Sequence, residues 1–201
     1  MIIANTKRLI IRPFELSDIE GFHRYRSLPS VNRYLYSEAL DLEACGVVVN
    51  RKIKESSITD ASPVLSLAVI EAASEMLIGD VFLGWPKVEH SQAEIGYVFD
   101  PSSTGQGLAT EAVRWLVGFA FDEVGAHRVF GRCDGRNEAS VALMRRVGLR
   151  VEAHLLQNEF VKGEWTDEVI CAILDSEWYG VDSKCRHRSV DWLGRVDLPN
   201  P

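Results

Sequence analysis

Two glycines one residue apart, Gly105 and Gly107, open the stretch of this chain best suited to chemistry. They follow an apolar run, Ala93-Glu-Ile-Gly-Tyr-Val-Phe99. Beyond them Leu108, Ala112, Val113, Leu116, Phe119 and Ala120 fall at helical spacing. A strand that turns through glycines into a helix leaves N–H groups without partners at the helix start, and the helix dipole adds to their positive field. Glycine also lets the backbone come close to whatever binds there. The chemistry is anion binding, best suited to a phosphate or pyrophosphate. Two familiar phosphate loops do not fit. No Gly-Lys-Ser/Thr triplet occurs, and Trp85-Pro86 follow the correctly spaced pair Gly79 and Gly84. The dinucleotide fingerprint needs a third Gly or Ala where Thr110 stands, and it opens the first βα unit, whereas the strand candidates 64–70, 77–83 and 93–99 lead up to this loop one after another.

The elements that must position the loop are legible as changes of period. Leu9 to Pro13 reads as a strand, and Ser17-Asp18 as the start of a helix carrying Ile19, Phe22 and Tyr25. A helix runs from Asp41, its cap, to about Glu55. Strands 64–70, 77–83 and 93–99 follow closely enough for antiparallel turns. After the long helix from Gly107 to about Glu123, stopped by Gly125, come a strand at 128–133 and a helix from Asn137 to Val147 capped by Gly148. Segments 151–161 and 165–174 form a hairpin turning at Gly163. From about Asp175 the chain reads as a tail, partly docked through its tryptophans and carrying Lys184, Arg186, His187 and Arg188. Strands and helices sharing one core indicate a mixed α/β domain.

Composition bounds the function. The 201 residues are 46% hydrophobic and 25% charged, which suits one domain with a real core. A net charge of −7 disfavours nucleic acid as partner and is compatible with a cationic one. No apolar run is long enough to span a membrane, and the opening residues do not read as a signal peptide, because the basic residues follow the short apolar run. The four cysteines (Cys45, Cys133, Cys171, Cys185) are widely spaced, as free thiols of a cytoplasmic protein would be, and neither they nor the histidines show metal-ligand spacing.

The string Thr104-Gly-Gln-Gly-Leu-Ala109, followed by Thr110-Glu-Ala112, resembles the acetyl-CoA pyrophosphate loop of the GNAT acetyltransferases, whose motif is Gln/Arg-x-x-Gly-x-Gly/Ala. Gly107 and Ala109 match its fourth and sixth places, and Thr104 departs from its first. Thr6-Lys-Arg-Leu-Ile-Ile-Arg-Pro-Phe14, Ile78-Gly79, Glu94-Ile-Gly-Tyr97, Asn137-Glu-Ala-Ser140 through Arg146-Val-Gly-Leu149, Gly163-Glu-Trp-Thr-Asp167 and Glu177-Trp178 are similar, in order, to motifs of the RimJ/RimL-like branch. The resemblance implies a GNAT domain over 1–178, with a tail at 179–201. Its core would be a central, mostly antiparallel sheet of about seven strands flanked by helices. It implies acetyl-CoA as cosubstrate, no metal, an amine acceptor (protein N-terminus or small molecule), and a possible homodimer.

On that resemblance, backbone groups of Val98 and Phe99 bond the pantetheine arm, and Gly105, Gln106, Gly107, Leu108, Ala109 and Thr110 hold the pyrophosphate. Asn137 reaches the arm or a water, or simply caps its helix. Acetyl transfer by direct attack in a ternary complex needs a base for the amine and a proton for the leaving thiolate. Glu94 and Glu159 are rival bases, with Glu152, Glu164 and Asp167 also open. Met144 stands where many relatives carry a proton-donating tyrosine, so Ser140, one turn after Asn137, is the candidate acid and also borders the cofactor. Two other readings compete: a non-catalytic CoA-binding sensor or interaction protein of the same fold, and a dinucleotide-binding oxidoreductase domain.

Overall fold

A computed structural model describes residues 3–58 and 63–180. Among these residues eight strands form one sheet in the order β1-β2-β3-β4-β5-β6-β8-β7: β1 Ala4–Asn5, β2 Leu9–Pro13, β3 Val64–Glu71, β4 Leu77–Lys87, β5 Gln92–Phe99, β6 Arg128–Asp134, β7 Arg150–Val161 and β8 Glu164–Leu174. The sheet is one strand larger than expected, because residues 4–5 pair with Ile11 and Ile10 in a bridge too short to show a period. The α-helices of the described residues flank it: α1 Ile19–Arg26, α2 Pro29–Asn32, α3 Leu42–Lys54, α4 Leu108–Asp122, α5 Glu138–Val147 and α6 Asp175–Tyr179. None of the described helices is long and apolar enough to cross a membrane.

Alternation along the strands divides the core between the two faces. Ala93 and Ile95 of β5 turn to one face, where they meet Leu108, Ala112, Val113 and Leu116 of α4 and Leu143, Met144 and Val147 of α5. On the other face Phe22 and Tyr25 of α1 and Cys45 and Val49 of α3 close over Ala68, Ile70 and Leu77, with Val98 alongside. A buried ion pair fastens that layer. Lys52 Nζ donates to Asp80 Oδ2 at 2.7 Å, and Tyr25 Oη donates to Oδ1 at 2.7 Å. Each charge in the pair has a partner, as burial requires.

Helix ends follow the local signals. Asp41 caps α3 by accepting from Ala44 N at 2.8 Å, and Gly148 ends α5 with φ at 113°. Asp18 stands at the start of α1; its side chain makes no bond to an α1 N–H and instead closes a capping box on the short turn before it, residues 16–18. It is buried and accepts from both Nη atoms of Arg12 at 2.7 Å and from Glu15 N. The carboxylate thus serves the bidentate guanidinium and the backbone of the helix start together. The supposed tail beginning near Asp175 is helical at first: α6 sets Trp178 and Tyr179 against Phe121, with ring centroids 5.9 and 6.2 Å apart. Residues 181–201, including the basic cluster and Trp192, lie outside the described residues.

Candidate active site

The sheet opens at one place. β5 and β6 are parallel and pair only at Gln92↔Arg128, Ala93↔Val129 and Glu94↔Phe130. Beyond Glu94, β5 stays with β4 as far as Phe99, and β6 stays with β8 as far as Asp134. The two strands therefore diverge, leaving one edge of β5 without a strand partner. Asp100 N donates to Ile78 O at 2.8 Å, and Val98 lies opposite Asp80 two residues back. Antiparallel alternation then turns the Val98 N–H toward β4 and those of Tyr97 and Phe99 toward the opening. Of the two residues expected to bond the pantetheine arm, Phe99 has its N–H on the open edge and Val98 does not; Tyr97 shares that edge with Phe99.

The glycine loop stands at the end of β5. Asp100 starts it, accepting from Ser102 N at 2.9 Å, Ser102 Oγ at 2.7 Å and Arg24 Nε at 2.9 Å. Burial alone would raise the Asp100 carboxyl, but these bonds outweigh it and hold it below its ordinary 3.8. Thr104 turns its hydroxyl back to Pro101 O at 2.7 Å. Gly105 and Gly107 then adopt φ values of 79° and 77°, left-handed conformations that favour glycine. The first α4 bond runs from Glu111 N to Gly107 O. The N–H groups of six consecutive residues, Gly105 to Thr110, meet no acceptor among the described residues. A row of unpaired donors at the start of a 15-residue helix fits a pyrophosphate.

Two clusters of side chains border the opening, one on each face. On the α4–α5 face Tyr97 reaches across to α5: its hydroxyl lies 2.9 Å from Ser140 Oγ and donates to Ser140 O at 3.1 Å. Asn137 is the N-cap of α5, accepting from Ser140 N at 3.1 Å. Burial pushes the Tyr97 phenol well above its usual range and the Cys133 thiol up to about 11, so both keep their protons at neutral pH. A protonated, half-buried Cys133 is no nucleophile. Met144 is 1% exposed and fills the space over Gly131, where even a Cβ would come within 2.8 Å of its sulfur. It belongs to the core and takes no part in the opening.

Glu94 is three residues from Tyr97 and so lies on the other face. There Arg132 gathers three carboxylates: its Nε donates to Glu94 at 2.8 Å, and its Nη1 stands 3.2 Å from Glu168 and 3.6 Å from Glu159. Hydrogen bonding to Glu94, above all, raises the guanidinium above its usual range. Glu168 is 5% exposed and also accepts from Asn158. Tyr36, in the segment after α2, donates to Glu159 Oε2 at 2.5 Å; burial of its hydroxyl, then the Glu159 bond and charge, push it up to about 12. Lys162 Nζ donates to Asn32 O at 2.6 Å, so the loops around 26–40 and 157–165 meet at this face. The two rival bases thus share one site. Glu152, Glu164 and Asp167 are engaged elsewhere, with Arg128 and Arg150, with Arg136, and with His154 respectively. Sequence reasoning missed Tyr97, Arg132, Glu168 and Tyr36. The trace of Glu168 was a carboxylate inside the apolar β8, and that of Tyr97 a hydroxyl on an apolar strand face.

Residues 8–150 match the acetyltransferase (GNAT) domain family. The chain is 31% identical over 173 residues to the uncharacterized N-acetyltransferase YnaD of Bacillus subtilis, covering 86% of this chain and 97% of that one. It is 25% identical over 168 residues to the spermidine N(1)-acetyltransferase of Escherichia coli, covering 84% and 87%. A crystal structure of a GNAT-family acetyltransferase from Bacillus anthracis superposes with a TM-score of 0.76 at 30% identity, covering 87% of this chain and 98% of that one. The divergent strands, the donor-rich glycine loop and these matches lead to one conclusion: the chain belongs to the GNAT family and is an N-acetyltransferase.

Proposed function

We propose that this protein transfers an acetyl group from acetyl-CoA to the primary amine of a small, cationic acceptor, by direct attack in a ternary complex. The observation that carries the reading is the opening between β5 and β6, with free N–H donors at one end and carboxylates at its face. Acetyl-CoA supplies the activated acetyl thioester. The N–H groups of Gly105, Gln106, Gly107, Leu108, Ala109 and Thr110 hold its pyrophosphate. The open edge of β5 at Tyr97 and Phe99 takes its arm as a sheet takes a strand, and Val98 shapes that edge through its bond to β4.

The acceptor approaches from the carboxylate face. Three carboxylates against one guanidinium leave a net negative field, which draws an ammonium ion and disfavours an anion. Glu159 takes the proton that the ammonium must lose, because its 3.6 Å contact with Arg132 is the loosest of the three. Glu94 and Glu168 hold Arg132 in place. On the opposite face the Ser140 hydroxyl relays a proton to the departing sulfur, giving its own as it takes up the second proton that the attacking nitrogen sheds on becoming an amide. Tyr97, protonated and hydrogen-bonded to it, orients that hydroxyl, and Asn137 fixes the helix turn that carries it.

The small-amine acceptor draws support from the E. coli relative named as a spermidine acetyltransferase. Membership of the RimJ/RimL-like branch, and with it a protein N-terminus as acceptor, rests on the ordered motifs alone. A cytoplasmic location fits the free thiols Cys45, Cys133 and Cys171. The same reading takes 1–178 as the catalytic domain, 179–201 as an appended tail, and the protein as a homodimer, which equilibrium sedimentation tests. The direct experiment is thiol release from acetyl-CoA with three acceptor sets: polyamines, amino-acid amides and peptides with free N-termini. Turnover confined to polyamines and diamines supports the reading. Turnover confined to peptides replaces the small amine with a protein N-terminus.

A further inference from the structure

The glycine loop is held from behind by a residue that none of these roles uses. Arg8 stands just ahead of β2, and its side chain runs to the start of α4. Its Nη1 donates to Gln106 O at 2.8 Å, its Nε to Glu111 Oε2 at 2.7 Å, and its backbone N–H to Glu111 Oε1 at 2.9 Å. Thr6 Oγ1 donates to the same Oε1 at 2.6 Å. Both Arg8 and Glu111 lie in motifs that stand out in the sequence without a role.

Two consequences follow for the loop. In a trans peptide the C=O and N–H point in opposite directions. Because Gln106 O turns to Arg8, the Gly107 N–H turns away from it, to the exposed side where the neighbouring N–H groups are free. Arg8 therefore sets the direction of one donor at the centre of the row. The second consequence concerns charge. Glu111 sits in the first turn of α4, the helix end that must accept an anion. Burial would raise its carboxyl, but the bonds from Thr6 and Arg8 hold it below its ordinary 4.5, so it is ionised at neutral pH. An unpaired carboxylate there would oppose a pyrophosphate, and Arg8 cancels it.

We infer that Arg8 is a positioning residue of the diphosphate site: it aims the Gly107 N–H and neutralises Glu111, so the protein distinguishes acetyl donors that carry a diphosphate from those that lack one. The inference rests on reading the loop as the acetyl-CoA site. Its test is calorimetric titration with acetyl-CoA and with S-acetylpantetheine, which keeps the thioester and arm but has no diphosphate. Arg8→Gln raises the Kd for acetyl-CoA about tenfold or more, the loss expected for a charge-assisted contact, and leaves that for S-acetylpantetheine within about twofold. Adding Glu111→Gln recovers at least about threefold of the loss, because the unmasked carboxylate is gone. Should Arg8→Gln fail to fold, Arg8→Lys keeps the charge beside Glu111 and loses the bond to Gln106, and its acetyl-CoA Kd rises about threefold. Three results overturn the inference: an unchanged acetyl-CoA Kd in a folded Arg8 variant, an equal loss for both donors, or a double variant no better than the single. A wild-type protein that binds no acetyl-CoA overturns the acetyl-CoA site itself, which is a different result.

Discussion

Replacing Gly107 by aspartate separates the two things the loop does, holding a backbone shape and presenting positive potential. At φ 77° any side chain is strained by about 1–2 kcal/mol, less for aspartate, which tolerates this region better than most residues. That strain is present with and without ligand, so it lowers the melting temperature and leaves affinity alone. The space exists: a Cβ on Gly107 meets only Arg8 Nη2, at 3.7 Å, an ordinary contact. Charge is the difference. A carboxylate about 5 Å from a pyrophosphate charge costs roughly 3 kcal/mol at an effective dielectric constant near 20, and pairing with Arg8 trims this to about 2–3 kcal/mol. The predicted rise in the acetyl-CoA Kd is about 30- to 150-fold, shrinking as salt is added. Gly107→Ala, strained and neutral, should stay within about fivefold of wild type. Calorimetric titration of both variants, with thermal melts to show that they fold, makes the comparison. A folded Gly107→Asp protein of unchanged affinity refutes the site. Alanine as damaging as aspartate refutes the electrostatic argument and leaves only shape.

Three further outcomes are expected. Ser140→Ala lowers kcat about 100-fold with little change in the KM for acetyl-CoA, Tyr97→Phe lowers it less, and the two together cost no more than Ser140→Ala alone, since Tyr97 acts through Ser140; independent additive losses would separate them. Glu159→Gln lowers kcat about 100-fold and shifts the acid limb of the pH profile, whereas Glu94→Gln acts mainly on the acceptor KM; the reverse pattern hands the base role to Glu94. The folded Asp100 carboxyl is depressed below 3.8, so its contribution to stability is full above the unfolded value and is lost as pH falls through the folded one. Melting temperatures should therefore show no Asp100-linked change between about pH 5 and 8. Below about pH 4 wild type should lose stability more steeply than Asp100→Asn; parallel acid slopes would contradict this.

What the sequence revealed and what it withheld divide along physical lines. Local signals carried well: the helical period of Leu108 to Ala120, the Asp41 cap and the Gly148 stop depend on neighbours within a turn or two. Gly105 and Gly107 were readable for the same reason. The opening between β5 and β6 was not, because nothing in either strand states that their pairing ends at Glu94 and Phe130. Arg132 brings together carboxylates from β5, β7 and β8, and Tyr97 meets a serine 43 positions on. Such contacts are products of the sheet order and leave no periodic trace. Asp18 marks the start of α1 as its local signal suggests, and only its second partner, Arg12, left no trace.

The donor row from Gly105 to Thr110 and the open edge of β5 are proposed to hold acetyl-CoA together. Calorimetric titration of the purified protein with acetyl-CoA, and with NAD as control, tests this proposal most directly. Saturable binding of acetyl-CoA and none of NAD is expected. A well-folded protein that binds NAD, or that binds neither, contradicts it.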